Sequence, residues 1–276
     1  MVKLRENDTK FEGTHIHYWE GGTGAPLILM HGSGTGASTL SNFRKVLEPL
    51  ALHFHVLAAD LIGYGQSGRK TTEPYFDMAM WGRQLSHLIK MVDSPRIGLI
   101  GHSLSGALVL KAAAAHPEVA AVVTTGTMGV ATARRTAGRG WVFPESKEQL
   151  LAQVQNTVFD KSLIDDAEIE RRMQVLNAPG YREYFTKMYD GQQEAFIGAS
   201  AVTEAELQAI KCPVVFMHGA NDRSFAAEDT SLHLSKSIPQ SDVVILGQCA
   251  HSVALEYPEK FLDIAIPFFK RSLANS

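Results

Sequence analysis

Ile100-Gly101-His102-Ser103-Leu104-Ser105-Gly106 is the stretch on which the reading of this chain turns. Ile97-Gly98-Leu99-Ile100 is a short continuous apolar run, as expected for a strand buried on both faces. It leads straight into a serine with small neighbours, and an Ala-rich helical run follows. A strand-to-helix turn this tight admits only small neighbours and lifts the serine hydroxyl clear of the sheet, the arrangement of a nucleophile elbow. The fifth motif position is Ser105 rather than Gly, still small enough to fit. Taken alone, the stretch also fits a plain turn whose serine caps a helix.

Outward from this turn, strands and helices alternate. Strand patterns lie at His15–Trp19, Pro26–Met30, His55–Ala59, Val119–Val123, Val214–Met217 and Val243–Leu246. Helical patterns lie at Asp77–Val92, after Ser103, at Ser231–Ile238 and at Pro258–Lys270. Such alternation predicts a mostly parallel sheet with helices on both faces. Ligands of these sheets bind at the carboxyl ends of the strands, so polar residues just after strands are the candidates.

One stretch breaks the rhythm. Residues 130–199 show no buried-strand signal. Ser146-Lys147-Glu148-Gln149 reads as a capping box, with Leu150, Leu151, Val154 and Val158 following at helical spacing. Asp165–Leu176 and Gly180–Tyr189 are further helical patterns, and Thr203-Glu204-Ala205-Glu206 is a second capping box that marks the return to the core. The expected organisation is a core of residues 1–129 and 200–276 with a helical lid at 130–199.

A serine nucleophile needs a base, and the base needs an orienting carboxylate. His218-Gly219-Ala220-Asn221-Asp222 follows one late strand, and Gly247-Gln248-Cys249-Ala250-His251 follows the last. Asp222 and His251 therefore fall on the sheet edge that carries Ser103, in the order acid then histidine that this arrangement requires. Met30-His31-Gly32-Ser33-Gly34-Thr35-Gly36 also follows a buried strand. Its glycines allow a backbone N–H to turn inward, so Ser33 N–H and Leu104 N–H are the expected oxyanion donors. A phosphate cradle is the rival reading, and the Lys-Ser/Thr ending of a P-loop is absent. The four motifs together predict an α/β-hydrolase fold with an eight-stranded sheet and a serine hydrolase site.

Composition narrows the partners. The net charge is -3 over 276 residues, with no basic stripe for nucleic acid. No segment has the length and apolarity of a membrane span. The charged start MVKLRENDTKFEG is not a signal peptide, so Cys212 and Cys249 read as free thiols of a cytoplasmic protein. The His15/His17 and His53/His55 pairs lack a further ligand cluster, so no metal is expected, and no cofactor. The expected partner is a small-molecule substrate.

The chain resembles the meta-cleavage product hydrolases, the carbon–carbon bond hydrolases of aromatic degradation. The likeness runs through HGSGTGASTLSNFRKVLEPL, AADLIGYGQSG, GHSLSGALVLKAAAAHPE, FDKSLIDDAEIERR, HGANDRS and GQCAHS. It implies cleavage of a 2-hydroxy-6-oxo-hexa-2,4-dienoate to a 2-hydroxypentadienoate and a carboxylic acid. It also implies a homodimer. By the resemblance, Gly32, Gly34, Asn42, His102, Arg172 and Ser252 belong to the substrate site. Asn42 matches the polar residue of the active-site loop, and Arg172 the lid arginine for the acidic end of the substrate. Against these roles, a charge such as Arg172 on a helix also reads as an ordinary solvated one. Three positions depart from the family pattern: His102 where Asn is common, Thr35 where Pro is usual, and Ser252 where Trp is frequent.

The same Ser103 chemistry serves an ester, lactone or amide hydrolase, and His102 is common at that position in esterases of the fold. A non-catalytic binding protein has no use for an activated serine. Dehalogenases and epoxide hydrolases of this fold carry Asp where Ser103 stands.

Overall fold

The computed structural model describes residues 2–135 and 141–274, so residues 136–140 of the expected lid lie outside the described residues. Its strands are β1 (Arg5–Phe11), β2 (Thr14–Gly21), β3 (Pro26–Met30), β4 (His55–Ala59), β5 (Ile97–His102), β6 (Val119–Thr125), β7 (Val214–Gly219) and β8 (Ser241–Leu246). They form one sheet of eight strands in the order β1-β2-β4-β3-β5-β6-β7-β8. β1 pairs antiparallel with β2 and β2 with β4, while the pairs from β4 through β3 to β8 are parallel.

The helices are α1 (Thr39–Phe43), α2 (Leu47–Ala51), α3 (Met78–Val92), α4 (Leu104–Ala115), α5 (Lys147–Gln155), α6 (Asp166–Leu176), α7 (Tyr181–Met188) and α8 (Gln193–Ala199). They continue with α9 (Glu204–Ala209), α10 (Ser231–Ser235), α11 (Val253–Glu256) and α12 (Pro258–Leu273). Among the described residues no helix is long and apolar enough to cross a membrane.

The continuous apolar runs have a simple cause. Alternate residues of a strand face opposite sides, and here both sides are covered. Leu27, Leu29, Val56, Ala58, Ile100, Val123 and Met217 pack with Phe261, Ala265 and Phe269 of α12. Ile28, Met30, Leu57, Ala59, Leu99, Val122 and Phe216 pack in the other layer with Trp81, Leu85 and Leu88 of α3 and Leu108 of α4. Leu150, Ile169, Phe185 and Ile197 carry α5 to α8 into that second layer. Each full burial of such a side chain contributes roughly 1.5–3 kcal/mol.

Three sequence expectations change. β1 went unread, because RENDTKF is polar and lies at the sheet edge, where charge deters pairing with other chains. The helix expected at Ser231–Ile238 stops at Ser235. The Ser146 box is half formed: Ser146 accepts the N–H of Gln149, but Gln149 reaches past it to the N–H of Glu145. The Thr203 box is complete. Asp77 and Asp165 cap α3 and α6 by accepting the N–H three residues on.

Candidate active site

Ser103 sits at the junction of β5 and α4 with φ 54° and ψ -116°, a conformation that an L residue holds only under restraint. The restraint is visible. Its N–H donates to Thr125 O at 2.9 Å, and its carbonyl accepts from Gly106 N at 2.9 Å and Met128 N at 3.0 Å. Ser105 is an additional tie, not merely a tolerated stand-in for Gly. Its buried hydroxyl donates to His31 O at 2.6 Å, bracing the elbow against the loop after β3. Ser103 is 7% exposed and lines a pocket over the strand ends.

His251 Nδ1 donates to Asp222 Oδ2 at 2.7 Å. That bond fixes the tautomer, leaving the lone pair of Nε2 for a hydroxyl. Asp222 is held in turn by the N–H groups of Ser224 at 2.7 Å and Phe225 at 3.2 Å, and by His218 Nε2 at 3.1 Å. Burial alone raises a carboxyl, but the two imidazoles outweigh it and hold Asp222 far below the usual carboxylate range. The backbone N–H groups of His251 and Ser252 both donate to Thr157 O at 3.1 Å, in the turn after α5. Gly126, after β6, makes room for the imidazole: a Cβ there lies 2.8 Å from His251 Nδ1. Among the described residues Ser103 Oγ joins no hydrogen bond, so it is not locked onto His251. Such contacts commonly tighten only when substrate is seated.

The loop after β3 closes the other side. Ser33 N–H, and Leu104 N–H at the start of α4, donate no hydrogen bond to a described residue. Both are therefore free to receive an oxyanion. Ser33 is fixed through its side chain, which accepts from Trp141 Nε1 at 3.0 Å. Trp141 stacks on Tyr189 at 5.3 Å and 2°, and Tyr189 hydrogen-bonds the buried Tyr64. Gly32 is spoken for at both ends: its N–H goes to Asn42 Oδ1 at 3.0 Å and its carbonyl accepts from His31 Nδ1 at 2.7 Å. Its contribution is space, since a Cβ there comes to 3.0 Å from Ser103 Cβ. Asn42 thus orients the loop as well as lining the pocket.

His102 is buried with its ring 4.7 Å from that of His251. Its Nδ1 lies 3.1 Å from Thr125 O and 2.9 Å from Thr125 Oγ1. A carbonyl only accepts, so this nitrogen carries the proton. Burial, with His251 close by, pushes the His102 pKa well below its ordinary value, so the ring is neutral.

Arg172 is no solvated charge. It is buried on α6, donates Nε to Glu168 Oε1 at 2.6 Å and Nη1 to Thr35 O at 2.7 Å, and lines the pocket. Glu168, fully buried, also takes Arg44 and Arg171 at 3.0 Å each.

One pocket therefore gathers Gly32, Ser33, Gly34, Asn42, His102, Ser103, Arg172, His251 and Ser252, with Asp222 behind His251; Leu104, next to Ser103 in the chain, is not among its lining residues. Sequence reasoning missed His218, Thr157 and Arg135, which also bears on this pocket. His218 was in view within HGANDRS; nothing in sequence marks the other two.

The model of the alpha/beta hydrolase fold family matches residues 25–258. The chain is 30% identical over 258 residues to a 2-hydroxy-6-oxo-2,4-heptadienoate hydrolase of Pseudomonas putida, covering 92% of each protein. It is 29% identical over 260 residues to a 2-hydroxymuconate semialdehyde hydrolase of a Pseudomonas species, covering 92% of this chain and 89% of that one. The solved 2-hydroxy-6-oxo-6-phenylhexa-2,4-dienoate hydrolase of a Rhodococcus species superposes with a TM-score of 0.89 at 25% identity, over 98% of this chain and all of the other.

Proposed function

The chain belongs to the α/β-hydrolase fold family and, within it, to the meta-cleavage product hydrolases, and on that premise we propose that it hydrolyses the C5–C6 bond of a 2-hydroxy-6-oxo-hexa-2,4-dienoate with Ser103, His251 and Asp222. The observation that carries the reading is the convergence of Ser103, a carboxylate-anchored His251 and Ser33, whose N–H is free, on one pocket that also holds Arg172.

The dienol first shifts to its keto form, which conjugates the C2 carbonyl with the carbon–carbon double bond next to C5. His251 Nε2 takes the proton of Ser103 Oγ, and the oxygen attacks the C6 carbonyl. Asp222 stabilises the imidazolium without taking its proton. Ser33 N–H and Leu104 N–H receive the oxyanion, a contribution worth roughly 3–4 kcal/mol per donor. As the C5–C6 bond breaks, its electron pair runs through the double bond into the C2 carbonyl, and the proton on His251 passes to the C2 oxygen; C5 gained its second hydrogen in the keto shift. The 2-hydroxypentadienoate leaves. Water, activated by His251, then releases the carboxylic acid from Ser103.

In this proposal residues 130–199 form the lid, Arg172 with Asn42 meets the dienoate carboxylate, and His102 and Ser252 line the reacting centre. A cytoplasmic homodimer completes the proposal. Loss of the visible absorbance of ring-fission products on mixing tests the chemistry. Turnover of alkyl or aryl members is the expected result, with a trapped dienoate and a shifted band in Ser103→Ala. No turnover of any member, with fast cleavage of aryl esters, assigns the triad to ester hydrolysis instead.

A further inference from the structure

A second arginine faces the same pocket. Arg135 follows β6, and its guanidinium lies over the rings of Trp141 at 5.4 Å and Phe225 at 5.6 Å. Those two faces hold it in place. Its Nε is buried with no hydrogen-bond partner, and among the described residues no carboxylate lies within ion-pair distance of it. A guanidinium does not neutralise itself by losing its proton, so a desolvated one with no ion-pair partner, on which Asp222 acts only from beyond ion-pair distance, is costly until an anion arrives. Arg172, by contrast, already has Glu168.

The sheet order sets the two guanidiniums apart. Arg172 is bound to the loop after β3, and Arg135 packs on Phe225 in the loop after β7. In the order β3-β5-β6-β7, the strand that carries Ser103 lies between those loops. Polar side chains of Gln153, Asn156 and Thr157 line the pocket too, beside the apolar Trp141, Val142 and Val154.

We propose that Arg135 is an anion-binding group for the acyl end of the substrate, so that this chain acts on dienoates carrying a carboxylate at both ends. Hydrolysis then puts OH on C6 and H on C5, and the acid released is a dicarboxylic acid. The assignment rests on the C–C hydrolase reading, and Arg135 is a specificity residue in it.

The test compares kcat/KM for two 2-hydroxy-6-oxodienoates, one with a methyl and one with a carboxyethyl substituent on C6. The folded enzyme is expected to favour the carboxyethyl substrate by roughly tenfold or more, the value of a charge-assisted hydrogen bond. Arg135→Met is expected to lower that preference by roughly 10- to 100-fold, and Arg135→Lys, which keeps the charge, to recover part of it. A preference for methyl, or a preference that Arg135→Met leaves intact, overturns the proposal. If neither dienoate is cleaved, the C–C reading fails and the anion site is judged separately, by inhibition of ester hydrolysis. Succinate competing roughly tenfold better than butanoate supports the site, and equal competition overturns it.

Discussion

Two buried carboxylates in this molecule keep opposite company. Asp222, at the end of β7, lies between the imidazoles of His218 and His251. Glu168, on α6, lies among the guanidiniums of Arg44, Arg171 and Arg172. An imidazole gains and loses a proton near neutrality, whereas a guanidinium is charged throughout. The first carboxylate therefore anchors the imidazole that the proposed mechanism uses as its base. The second answers charges that never change, and it joins α6 to α1 and to the loop after β3. Chemistry sits where the partner can titrate, and a clamp where it cannot.

Asp222→Asn gives the largest expected effect. The amide cannot hold the same tautomer of His251, so kcat falls roughly 10⁴-fold. A fall in kcat of less than about tenfold shows that Asp222 does not orient His251. Glu168→Gln comes next. It strands three guanidiniums, and calorimetry or denaturant unfolding is expected to show a loss of about 3–5 kcal/mol. A loss under about 1 kcal/mol means the cluster behaves as a surface one.

Two other buried imidazoles near the site give a pH signature. Burial holds His102 and His31 below their ordinary value. At these two positions the unfolded chain binds more protons than the folded one below about pH 6.5, so their contribution to stability rises with pH there and is lost as pH falls from about 7 towards 5. The slope is about 1.4 kcal/mol per pH unit for each proton. His102→Gln is expected to flatten it by up to that amount in unfolding curves taken at pH 7, 6 and 5; an unchanged slope assigns the pH dependence elsewhere. Asp222 acts at lower pH. Its contribution is present above the unfolded value of about 3.9 and is lost as pH falls below it. The smallest effect belongs to Ser105→Ala, which removes one buried hydrogen bond to His31 O. About 1 kcal/mol is expected in unfolding, and no change means the elbow needs no such brace.

Most of the fold was legible because each central strand is an apolar run that ends in a polar or glycine-rich turn. Ser103, Asp222 and His251 could be found because the fold puts reactive groups at those ends, and a motif at a strand end is a local signal. β1 escaped because an edge strand has one neighbour and little to bury. The state of Arg172 and the place of Arg135 escaped for another reason. An arginine in a sequence looks the same whether it is solvated, clamped or aimed into a pocket.

Residues adjacent in the chain suffice for the order of the central strands and helices, the elbow serine and its two partners. Which charges are already answered is settled by contacts between distant parts of the chain. Glu168 meets Arg44 across 124 positions, and Phe225 meets Arg135 from a different strand end. Whether a buried cation still wants an anion depends on which groups lie within a few ångströms, and distance in space is a quantity that chain order does not contain.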